Sequence, residues 1–121
     1  QLKTKNTQFT NKNQVASTGW TIGGMVASQC GIPLFTTSQG NSMSGSDQFL
    51  GNADCMGDIL KSAGYHTIFM QGALLSFSGK GTFYRSHKFD EIYGFNELAN
   101  KQQSYKNGWG LYDDTLLPLV Y

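Results

Sequence analysis

The order of apolar patterns along this chain predicts an α/β fold with parallel strands. Ile22, Met25 and Val26, with Cys30 one turn further on, follow the one-face spacing of a buried helix. Ile68-Phe69-Met70 is an unbroken apolar run stopped at Gly72, the pattern of a strand buried on both faces. A second helical pattern precedes that strand and further ones follow it. Such alternation gives a parallel sheet joined by right-handed crossovers, with ligands beyond the carboxyl ends of the strands. The loop after Gln71 and the turn before Thr21 are such ends, so they are expected to converge on one cleft.

The elements follow in order. Residues 1–8 are polar and expected to fray. Phe9 to Ala16 is read as a strand, a poor one because Asn11-Lys12-Asn13 lies in its middle. Trp20 to Cys30 is the first helix, closed by Gly31 and then Pro33. Ile32 to Gly51 is a long loop anchored only by Phe49-Leu50, and loops of this length are commonly functional. Asp54 is placed to cap a second helix with Met56, Ile59, Leu60 and Ala63 on one face and Gly64 as its stop. Tyr65 to Gln71 forms the strand. Lys80 to His87 is a third helix, Glu91 to Lys101 contains a short fourth, and Asp113 begins a fifth with Asp114 in its first turn.

Composition narrows the function. The 121 residues suffice for one domain with a modest core, burying about two thirds of its unfolded surface. Only 14% of residues are charged and the net charge is +1, so nothing favours nucleic acid or an acidic membrane face. No apolar run approaches the roughly 18 residues of a membrane span, so no transmembrane segment is expected within this chain. It lacks an initiator methionine and ends on the apolar run from Leu116 to Tyr121, so residues 1–121 are expected to be part of a domain cut at both ends. A piece of a larger sheet would expose an unpaired edge, and self-association is expected from it.

The residue that matters most is Thr21, a hydroxyl at the first turn of the first helix. Backbone N–H groups and the positive end of the peptide dipoles favour an anion there. A hydroxyl facing a phosphate can act as a nucleophile if something, usually a metal ion, lowers its pKa. The competing explanation is that Thr21 caps the helix, a role Thr18 could also fill.

A longer set of residues bears on that choice. Thr18-Gly19-Trp20-Thr21-Ile22, Gly24 to Gly31 and Pro33-Leu34 are followed by Cys55, Gly57 to Lys61 and Ala63 to His66. Gln71-Gly72-Ala73, Phe77, Gly79-Lys80, Phe83, Arg85-Ser86-His87, Phe89-Asp90, Gly94-Phe95 and Trp109 to Leu116 complete it. In this order, from about Phe9 to Leu116, the chain resembles the periplasmic phosphoglycerol transferases that decorate osmoregulated glucans. These belong to the alkaline phosphatase and sulfatase superfamily, with the lipoteichoic acid synthases. The resemblance implies a three-layer α/β/α sandwich around a mostly parallel sheet. It implies that Thr21 takes up phosphoglycerol and also ligates the catalytic divalent metal, manganese or magnesium. The whole enzyme would be an inner-membrane protein with a periplasmic domain, moving phosphoglycerol from phosphatidylglycerol to a glucan through a phosphothreonine.

The same resemblance bears on other residues. Lipoteichoic acid synthases hold glycerol phosphate with a tryptophan and an arginine whose places fall here at Ser78 and Lys80. That exchange removes an aromatic wall and turns a bidentate fork into a point charge. His87 is a further candidate for an anionic headgroup, against the alternative of a surface histidine without a role. Asp113 and Asp114 are read as first-turn charges rather than a metal pair. The other metal ligands are implied upstream of Gln1 and downstream of Tyr121, since no acidic residue precedes Thr21. No metal is therefore expected on this chain alone, which should be catalytically silent. In an oxidising periplasm Cys30 and Cys55 are expected to pair, against two buried free thiols as the alternative. Two other functions stay open: a non-catalytic sulfatase-like binding or regulatory module, and a related metal-dependent phosphodiesterase or sulfatase.

Overall fold

The computed structural model describes residues 7, 9–36, 43, 47–99 and 106–120. Helix α1 spans Thr21–Cys30 and α2 spans Met56–Ser62. Strand β1, Ile68–Met70, leads through a 3-10 turn at Phe77–Gly79 into α3, Lys80–Ser86. Then come β2 at Glu91–Tyr93 and α4 at Phe95–Ala99. A hairpin of β3 (Lys106–Asn107) and β4 (Gly110–Leu111) precedes α5 (Asp113–Leu116) and a last 3-10 turn at Leu117–Leu119. β1 and β2 pair in parallel, with Ile68 beside Glu91, Phe69 beside Ile92 and Met70 beside Tyr93. Parallel neighbours need a crossover, and α3 provides it. The α/β class read from the sequence is the class observed.

Ile22 and Val26, both 0% exposed, turn one face of α1 into a core shared with Leu34, Phe49, Cys55, Phe83 and Tyr84. The ring of Phe83 meets those of Phe49 and Tyr84 edge to face, at 5.3 and 5.2 Å. Tyr84 stacks on Phe69 of β1 at 3.7 Å, which fixes the crossover helix to the sheet. Burying a side chain such as Phe83 contributes about 1.5–3 kcal/mol, and each aromatic pair about 0.5–1.5 kcal/mol more. Burial also pushes the Tyr84 hydroxyl up to about 12. Cys30, the last residue of α1, is bonded to Cys55, the N-cap of α2, with their Cα atoms 4.1 Å apart. A cross-link across such a loop is worth about 2–4 kcal/mol.

Three local expectations are corrected. No residue from Phe9 to Ala16 lies in a strand, and all are exposed, as the central Asn-Lys-Asn would dictate. The N-cap of α2 is Cys55 rather than Asp54; its N–H donates to Asp58 Oδ2 at 3.1 Å. The α2 face read as core is largely in water, with Met56 43% and Ile59 62% exposed. What α2 buries is Gly57, whose missing side chain lets the His87 carbonyl approach to 2.3 Å of where a Cβ would stand. The short helix expected within Glu91 to Lys101 is α4, and ahead of it Glu91-Ile92-Tyr93 is a strand that the sequence reading did not include, its aromatic and β-branched residues completing the sheet beside β1.

Two aspartates tie these elements together. Burial acts to raise the Asp58 carboxyl. Its hydrogen bonds with His87 Nδ1 at 2.7 Å and the Cys55 N–H, with Lys88 Nζ at 3.2 Å, outweigh that and hold it below its ordinary value. The Asp90 carboxyl is held at about 2, first by Lys61 and then by the Thr67 N–H at 2.9 Å, which joins the start of β2 to the start of β1. Both values lie below those of the unfolded chain, so both contribute stability that is present above the ordinary carboxylate range and lost as pH falls through the folded values. The urea midpoint is therefore expected to drop between about pH 4 and pH 2, and Asp58→Asn to flatten part of that drop. A midpoint independent of pH across this window would contradict both assignments.

Candidate active site

Thr21 is the first residue of α1 and is exposed. The N-cap is Trp20, with extended backbone at φ −142° and ψ 156°. Thr21 is thus one residue inside the helix, where its hydroxyl is not the capping group. Thr18 does not cap either: its Oγ1 donates to the Val15 carbonyl at 2.7 Å, inside the preceding turn. No side chain caps α1 and no acidic residue stands in its first turn. The positive end of a ten-residue helix is left for an outside anion, with a hydroxyl beside it.

Glycine shapes the approach to Thr21. Ser17 takes a left-handed φ of 63°, which turns the chain back over the start of α1. A Cβ on Gly23 would lie 2.1 Å from the Ser17 carbonyl oxygen and 2.9 Å from the Trp20 indole nitrogen. Gly23 is therefore a close-approach position that lets the Ser17–Trp20 turn press on the first turn of the helix. The equivalent point on Gly24 meets only the Thr18 carbonyl, at 4.0 Å.

The other expected site residues are spread differently. Ser78 and Gly79 are both left-handed, at φ 56° and 68°, and their bend launches α3. Ser78 is 7% and Lys80 8% exposed. Lys80 Nζ lies 5.2 Å over the ring of Phe77, and burial lowers the pKa of its amine. Among the described residues no carboxylate pairs with it. A largely buried ammonium without a counter-charge is a costly arrangement that an arriving anion would relieve. His87, in contrast, is 1% exposed, with Nδ1 bonded to Asp58 and Nε2 3.5 Å from Cys55 Sγ. This is a correction to its reading as a headgroup contact: it is a core residue between α2, α3 and the disulfide, with both ring nitrogens occupied.

The expected single cleft is not what the described residues form. The groove beyond the carboxyl ends of β1 and β2 runs between Leu74, Phe77, Phe95, Asn96 and the hairpin tip at Trp109, and Thr21 does not line it. The hairpin went unread in the sequence, although Asn107-Gly108 is a strong turn signal. It is held by main chain: the Leu111 N–H donates to the Gly72 carbonyl at 3.0 Å. Gly110 has φ 138°, and a Cβ there would stand 2.0 Å from the Gly72 oxygen. Gly110→Ala is thus expected to cost about 1–3 kcal/mol in urea unfolding and to loosen the hairpin. Gly108→Ala, where an added methyl meets nothing within 4 Å, should stay within about 0.5 kcal/mol. Equal effects would contradict the contact.

Among the described residues the one trio of metal-ligating type is Cys30, Cys55 and His87, and its two sulfurs are bonded to each other.

Comparison with known proteins gives this geometry its context. Residues 1–120 match the family described as Sulfatase. The chain is 49% identical over 118 residues to phosphoglycerol transferase I of Salmonella arizonae, covering 96% of this chain and 16% of that protein. It is 48% identical to phosphoglycerol transferase I of Citrobacter koseri with the same coverage. The chain thus spans about a sixth of the length of these relatives. A crystal structure of an alkaline phosphatase superfamily protein from Vibrio parahaemolyticus superposes with a TM-score of 0.58 at 27% identity, covering 80% of this chain and 22% of that one. With that family's model matched over residues 1–120, the chain belongs to the sulfatase family.

Proposed function

We propose that this chain is the nucleophile-bearing part of a phosphoglycerol transferase and that Thr21 takes up the phosphoglycerol group. The observation that carries the reading is the place of Thr21: exposed, at the first position of a ten-residue helix with no capping side chain and no acid in its first turn. Phosphatidylglycerol is the proposed donor and a periplasmic glucan the acceptor. In the first half-reaction the Thr21 oxygen bonds to phosphorus, the bond from phosphorus to the diacylglycerol oxygen breaks, and the proton of the Thr21 hydroxyl ends on diacylglycerol. In the second, an acceptor hydroxyl bonds to phosphorus, the Thr21–phosphorus bond breaks, and the acceptor's proton returns to Thr21. The first turn of α1 favours the anionic phosphate in both steps.

Lys80 is the proposed second anion contact, supported by its burial with no carboxylate partner among the described residues, and it follows the Ser78 bend directly. The divalent ion expected for such an enzyme, manganese or magnesium, would use Thr21 and draw its other ligands from outside this chain. No helix among the described residues is long and apolar enough to cross a membrane. The disulfide supports an oxidising compartment, and the periplasmic side of the inner membrane is where the donor lipid would be met.

The test uses the whole enzyme and phosphatidylglycerol without acceptor. A burst of diacylglycerol equal to the enzyme present, and parallel lines when both substrates are varied, are expected of a covalent intermediate. Intersecting lines with no burst would contradict it, and steady release of glycerol phosphate to water would mark a phosphodiesterase.

A further inference from the structure

We infer that the groove between Phe77 and Trp109 seats a neutral sugar ring of the acceptor, a subsite apart from Thr21; this rests on the transferase reading. The groove lies beyond the carboxyl ends of β1 and β2, where α/β sheets bind their ligands. Its volume is about 400 Å³, within the range of small-molecule sites. The rings of Phe77 and Trp109 stand 6.0 Å apart and 85° to each other, and are 43% and 76% exposed. A hexose ring has an apolar C–H face and a rim of hydroxyls. Two aromatic surfaces at a right angle offer a platform for that face, and the Asn96 amide beside them can bond the rim.

Charge and shape separate this occupant from others. Among the described residues no ionisable side chain lines the groove, so none of them there recognises a phosphate. Among the described residues Ala73 and Leu74 are the aliphatic walls and glycines 108 and 110 form the hairpin side, which makes a short open seat rather than a trough for an acyl chain. The platform is also fixed in advance. Trp109 sits at the tip of a two-residue turn between β3 and β4, and the Gly72–Gly110 main-chain contact holds that turn against the loop after β1. A rigid ring loses little freedom when a ligand stacks on it. Phe77 joins the two regions, with Trp109 against its edge and Lys80 Nζ over its ring. A sugar in the groove would therefore lie one aromatic ring away from the ammonium proposed to hold phosphate.

The experiment uses the whole enzyme and a short neutral gluco-oligosaccharide. Hydroxyl-radical footprinting of the wild type is expected to show Trp109 oxidation falling severalfold as the sugar is added. In kinetics, Trp109→Ala should raise the acceptor KM about tenfold, equal to roughly 1.4 kcal/mol. Diacylglycerol release without acceptor should stay within twofold, and Trp109→Phe should recover most of the loss. An unchanged acceptor KM in folded Trp109→Ala would overturn the proposal, as would a raised donor KM with acceptor KM unchanged, which would assign the groove to lipid. Should Trp109→Ala fail to fold, the wild-type footprint decides: protection supports the seat and its absence overturns it. If the wild type releases no diacylglycerol the transferase reading has failed, and the footprint still reports on the sugar by itself.

Discussion

Thr21→Ala in the whole enzyme is expected to lower kcat by roughly 10⁴- to 10⁶-fold, the scale of losing a covalent nucleophile. Stability should move little, within about 0.5 kcal/mol, because Thr21 is not the capping residue and alanine is the better helix former. This separates chemistry from folding more sharply than the sequence allowed, where the capping explanation predicted a loss of about 0.5–2 kcal/mol and activity falling with it. Thr21→Ser keeps a hydroxyl at the same point and should retain part of the turnover. Thr18→Ala removes a local bond to the Val15 carbonyl, worth about 0.5–1.5 kcal/mol, and should leave turnover largely intact. A folded Thr21→Ala enzyme with full turnover would reduce α1 to a structural helix.

The second large effect is expected at Gly23. A methyl group there would stand 2.1 Å from the Ser17 carbonyl oxygen, closer than real Cβ atoms come to backbone. The Ser17–Trp20 turn must move, and it leads directly into Thr21. Displacing a reacting group by about 1 Å can cost on the order of 10²-fold in rate. Gly23→Ala is therefore expected to lower kcat about 10²-fold and to destabilise the fold, despite the better helix propensity of alanine. Gly24→Ala is the control. Its added methyl has room at 4.0 Å, so up to about 1 kcal/mol of stabilisation is expected, with kcat within a few fold. If both variants behave alike, the turn does not set the position of Thr21.

These two glycines show where the sequence could be read and where it could not. The helix itself was legible, because apolar spacing and the Gly31 stop are local signals; Gly31 does take the left-handed C-cap, at φ 70°. Which of the two glycines touches another segment depends on a left-handed serine six residues away, and Ser17 carries no signal for that conformation. The same limit hid the Ser78 bend and the Gly72–Gly110 contact, which joins residues far apart in the chain. The buried face of α2 was misread for a different reason. Its apolar period is real, but Ile59 and Met56 face water, while the position that packs inward is a glycine that hydrophobic patterning ignores. His87 looked like a lone polar candidate because its partners, Asp58 and the disulfide, lie on another helix.

The most direct measurement is peptide mass spectrometry of the whole enzyme quenched in acid after mixing with phosphatidylglycerol and no acceptor. The account predicts a phosphoglycerol group on the peptide containing Thr21, localised to that hydroxyl, absent from Thr21→Ala and lost when glucan is added before the quench. A phosphoglycerol group on any other residue, or none while diacylglycerol is being released, would contradict it.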